Sequence, residues 1–130
     1  MHVSLIVKCH PGKCRSASES VQIHKALDAA ENLCSGYSGL IDYWVAGEDD
    51  WTKEAIVRKD GKAVVACRAK DFQEFTEAGD PYYFLSGQWY DYGYLKDRGW
   101  TEIVNREINN AKQEDSDRDP IWFVCLNVHV

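Results

Sequence analysis

The residues best suited to chemistry lie in the run KCHPGKC, positions 8–14. Cys9 and Cys14 flank a Pro11-Gly12 turn, with His10 beside the first thiol. A structural zinc ion takes four nitrogen or sulfur ligands in a tetrahedron, and two cysteines a few residues apart across a turn supply half of that set. The turn is present, but a second pair at matching spacing is not. Cys34, Cys67 and Cys125 stand singly, and His2, His24 and His129 are scattered. Only pairing of the first and last strands would bring Cys125 or His129 beside Cys9. A cysteine nucleophile, in turn, needs a base close enough to lower its pKa. Cys9 and His10 are sequence neighbours, and neighbouring side chains on a strand point to opposite faces. Cys125 and His129 share a strand face but lie about 13 Å apart at strand rise. Cys9, His10 and Cys14 therefore define an alternative reading, a small zinc- or thiol-dependent protein. The bland reading is a turn that closes the first strand and carries reduced thiols.

Other chemical motifs are weaker. Asp115, Asp117 and Asp119 occupy the first, third and fifth places of a loop, as in an EF-hand, but Pro120 and Leu126 stand where glycine and glutamate are required. Phosphate-loop, dinucleotide and serine-elbow fingerprints are absent. No cofactor is expected. An enzyme with a carboxylate cleft is a further alternative, although sequence does not show which carboxylates converge.

The unusual stretch is GDPYYFLSGQWYDYGYLKDRGW, positions 79–100. Tyrosine and tryptophan on a glycine-interrupted segment provide rigid contact area with polar tips, and with arginine they are favoured at protein interfaces. Trp89, Tyr90, Asp91, Tyr92, Tyr94 and Arg98 are the candidate partner-binding residues. In an extended chain Tyr90, Tyr92 and Tyr94 share one face, and Trp89 and Asp91 the other. The competing expectation is that Phe84, Leu85, Leu95 and Trp100 feed the core and several tyrosines merely cover it. Two acidic clusters, Glu48-Asp49-Asp50 and the loop holding Asp115 and Asp117, would form a negative rim if folding brings them near. Taken singly, each reads as a solvated loop, the second capping the last helix poorly.

The formal charge of −6 over 130 residues argues against a general phosphate-backbone binder and suits a protein partner with a basic surface. No direct nucleic-acid binding is expected. No stretch approaches the roughly 20 apolar residues of a membrane span. The apolar core of MHVSLIVKCHPG is too short for a signal peptide, which places the expected location in the cytoplasm. An acidic, motif-free, non-catalytic chain of this size resembles phage-encoded inhibitors of host defence, such as anti-CRISPR proteins, in format only.

The elements that must position these residues follow from periodicity. VSLIVKC alternates as a strand. Ile23, Leu27, Ala30 and Leu33 or Cys34 form a helical stripe, with Ser16 and Glu19 at capping-box spacing and Gly36 as the stop. SVQI also alternates, leaving open a short strand before a helix from about His24. LIDYWVAG reads as a strand, and two β-prone runs flank the Asp60-Gly61 turn as a hairpin. KDFQEFTEAG reads as a short helix and YYFLS as a short strand. Trp100, Val104, Ile108 and Ala111 predict a helix over 101–112, and IWFVCLNVHV a long central strand, apolar on both faces at its start. The whole, 1–130, reads as one α+β domain. Its mainly antiparallel sheet has about four to six strands, with two or three helices packed on one face.

Overall fold

The computed structural model describes residues 2–12, 18–36, 43–45, 58–59, 62–63, 66–72, 81–91 and 100–129. In chain order the elements are β1 (His2–Cys9), α1 (Glu19–Gly36), β2 (Tyr43–Val45), β3 (Arg58–Lys59), β4 (Lys62–Ala63), β5 (Ala66–Arg68), a 3-10 turn (Ala69–Asp71), β6 (Tyr82–Leu85), β7 (Gln88–Tyr90), α2 (Trp100–Glu114) and β8 (Trp122–His129). The expected α+β architecture is present.

β8 is the central strand, as its apolar character on both faces predicts. It pairs antiparallel with β1 from Cys9 opposite Trp122 to His2 opposite His129. Along its other edge it carries β5 opposite residues 122–124 and β2 opposite residues 127–129. β6 runs parallel to β1, and β7 returns beside it. The resulting sheet is mixed and mostly antiparallel, in the order β2-β8-β1-β6-β7 with β5 beside β2 along β8.

The alternation of side chains divides the core in two. Leu5, Val7 and Cys9 of β1 join Trp122, Val124, Leu126 and Val128 of β8, and Ala26, Ala30 and Cys34 of α1 cover them. On the opposite face Ile6, Cys67, Leu85, Tyr90 and Phe123 pack under Val104, Ile108 and Ala111 of α2. This corrects the expectation that the helices share one face. With apolar side chains on both faces of β1 and β8, a single helical layer would leave one face wet, so each face takes a helix.

The ends of α1 are set locally. Ser18 Oγ accepts the Val21 N–H at 3.4 Å, the N-cap contact to the third helical residue. The cap is thus Ser18, and the helix begins at Glu19 with no preceding strand over SVQI. Ser16 lies outside the described residues. The predicted stripe is buried or half-buried along its length.

The Asp60-Gly61 hairpin is realised, since Lys59 pairs with Lys62 across it. The two turn residues themselves lie outside the described set. A second hairpin joins β6 to β7, where Leu85 pairs with Gln88. Its turn residues, Ser86 and Gly87, have φ values of 51° and 81°, the signature of a type I′ turn. YYFLS is thus a strand only to Leu85, and the Ser86-Gly87 dipeptide is the turn signal that ends it. A Cβ on Gly87 would meet nothing within 4 Å, so Gly87→Ala strains only the backbone. A loss of about 1–2 kcal/mol is expected in urea unfolding, and an unchanged midpoint would refute the turn assignment. Of KDFQEFTEAG, Lys70 and Asp71 complete the 3-10 turn that begins at Ala69, and Phe72 is buried. Residues 73–80 lie outside the described set.

Candidate functional site

The thiols are positioned for packing. Cys9, Cys34, Cys67 and Cys125 are all buried. Burial, with a smaller contribution from Cys34, pushes the Cys9 thiol up to about 12. Burial and Glu31 push Cys34 up to about 11. Burial also raises Cys125 to about 12, with the Ser4 hydroxyl pulling the other way and Cys67 adding to the rise. The thiolate is the nucleophile and the metal ligand, so at neutral pH these sulfurs are protonated and inert. The first and last strands do pair, but the register sets Cys125 opposite Ile6 and His129 opposite His2. Cys9 faces α1, whereas Cys125 lies on the α2 side by alternation. His10 is exposed, and Cys14 lies outside the described residues. Among the described residues no three His, Cys, Asp or Glu side chains gather as a metal site.

Ser4, 1% exposed, is a buried polar side chain of the sheet, and its hydroxyl meets no partner at hydrogen-bond geometry. The Cys125 sulfur beside it is at most a weak acceptor. Ser4→Ala is expected to raise stability by about 1 kcal/mol, because an unmet buried hydroxyl costs more than the methyl that replaces it. A loss in chemical denaturation would show that the sulfur contact counts as a real bond.

The acidic loop after α2 is not simply solvated. Asp115 has a fully buried side chain (0% exposed) and is met by Arg68, itself 12% exposed. Arg68 Nε donates to both carboxylate oxygens, at 3.0 and 3.1 Å, and Nη2 donates to Oδ1 at 2.8 Å. The backbone N–H groups of Lys70 and Ile121 donate to the same carboxylate at 3.1 and 2.9 Å. Asp115 therefore ties the end of α2 to β5, to the 3-10 turn and to the entry of β8. Burial works against the charge, but the Arg68 guanidinium and the two N–H groups outweigh it and hold the carboxyl below its ordinary range. Far from capping α2 poorly, this residue anchors its end. Asp117 is different: it is 90% exposed and touches Arg68 Nη1 at 3.4 Å. Glu48, Asp49 and Asp50 lie outside the described residues.

The aromatic segment splits across the sheet as its alternation predicts. Tyr90 (7% exposed) packs under α2. Burial and Glu107 raise its pKa, with Arg106 opposing. Trp89 lies on the other face, half-buried at the margin of the α1-side core. Its ring meets Tyr82 edge-on, with centroids 5.8 Å apart and planes at 76°. Asp91 is half-buried, and after burial it is the second cause that raises the Tyr82 pKa. Tyr92, Tyr94 and Arg98 lie outside the described residues. At the nearby turn, Ser86 Oγ donates to Glu107 Oε2 at 2.9 Å and accepts from Lys8 Nζ at 3.4 Å, fastening the hairpin to α2 and β1.

The structure thus brings together Trp89, Asp91 and Tyr82, the last lying outside the predicted partner-binding set. Tyr90 and Asp115 lie inside the protein. No protein-family model, curated protein or solved structure matches the chain. Among the described residues, no helix is long and apolar enough to cross a membrane.

Proposed function

We propose that this chain is a non-catalytic protein–protein interaction domain that docks on a partner with a basic surface, in the manner of a phage-type inhibitor of a host defence or nucleic-acid-binding protein. In this reading it acts in the cytoplasm and binds no nucleic acid directly. The observation that carries the reading is the half-exposed Tyr82–Trp89 pair beside Asp91 at the margin of the sheet. Aromatic rings held rigidly by a sheet, half in water and next to a carboxylate, are what an interface anchor requires. The overall charge of −6 adds attraction to a basic partner. Tyr92, Tyr94 and Arg98 extend the surface in sequence, and Glu48-Asp49-Asp50 are its proposed acidic rim; Asp117, held against Arg68 of β5, stands at the opposite edge of the sheet from β7 and is not beside the aromatic pair. The alternative built on Cys9, His10 and Cys14 has less support, since burial keeps Cys9 protonated.

The reading is tested by affinity capture from the native cell with the full chain as bait. A stoichiometric protein partner should appear, should weaken as salt rises, and should be lost when Asp91 is reversed to lysine. Capture that is indifferent to both salt and charge reversal would remove the basic-partner reading.

A further inference from the structure

We draw no further inference here: the strongest candidate, the Lys8–Ser86–Glu107 side-chain cluster at the β6–β7 turn, carries nothing, because both hydrogen bonds of the serine hydroxyl fasten the hairpin to β1 and α2, the contacts already described, and no observation points to a ligand there.

Discussion

Arg68→Ala is expected to destabilise the fold by roughly 3 kcal/mol near neutral pH, the low end of what breaking a buried ion pair costs. The size follows from what is left behind. Asp115, with no exposed side-chain surface, would keep its charge and the N–H groups of Lys70 and Ile121 but lose the bidentate guanidinium. Arg68→Lys should recover only part of the loss, because an ammonium does not reproduce the fork. Asp115→Ala is expected to be at least as severe, since it orphans two backbone donors and the guanidinium together.

The pH dependence fixes the sign. The folded pKa of Asp115 is lowered, so its contribution is complete above the ordinary carboxylate pKa and is lost as pH falls through the lower folded value. The difference between wild type and Arg68→Ala should therefore be largest near neutral pH and shrink in acid. Urea unfolding across that range measures it. A difference that stays constant or grows in acid would mean that the pair does not carry the charge-dependent stability assigned to it.

Tyr90→Ala is expected to cost about 3 kcal/mol, the range for emptying a buried aromatic site. Its ring is 7% exposed and packs with Leu85, Val104 and Ile108. Against a total stability of about 5–15 kcal/mol this threatens folding, so lost binding in that variant would say nothing about an interface. Tyr90→Phe keeps the ring and should cost about 1 kcal/mol or less. Trp89→Ala removes a half-buried ring and one edge-on contact, at about 1–2 kcal/mol, and should remain folded. Thermal melts of the three variants check the order. A Tyr90→Ala protein as stable as wild type would show that its ring is not part of the α2-side core.

Much of the sheet was legible in the sequence. Alternation marks β1, a long run apolar on both faces at its start marks β8, the Asp60-Gly61 dipeptide marks a hairpin, and the spacing of Val104, Ile108 and Ala111 marks α2. The placement of the helices on both faces was legible too. Ile121, Phe123 and Cys125 make β8 apolar on its second face, which demands a second cover. The Arg68–Asp115 tie was not legible, because it joins residues far apart in the chain and each looks like an ordinary surface charge beside a loop. In the aromatic segment, alternation correctly separated Trp89 from Tyr90. It does not reveal which face is sealed, since that depends on where α2 lands. The acidic loop misled for a related reason: its composition is that of solvated chain, but backbone geometry turns one of its carboxylates inward.

The most direct test of the central proposal is titration calorimetry of the captured partner against wild type, Trp89→Ala and Tyr90→Phe, with each variant shown to be folded. The expected result is tight one-to-one binding to wild type and Tyr90→Phe and a loss of about tenfold or more in Trp89→Ala, the behaviour of an interface anchor. Equal affinity for Trp89→Ala and wild type would contradict the assignment of the Tyr82–Trp89–Asp91 margin as the docking surface.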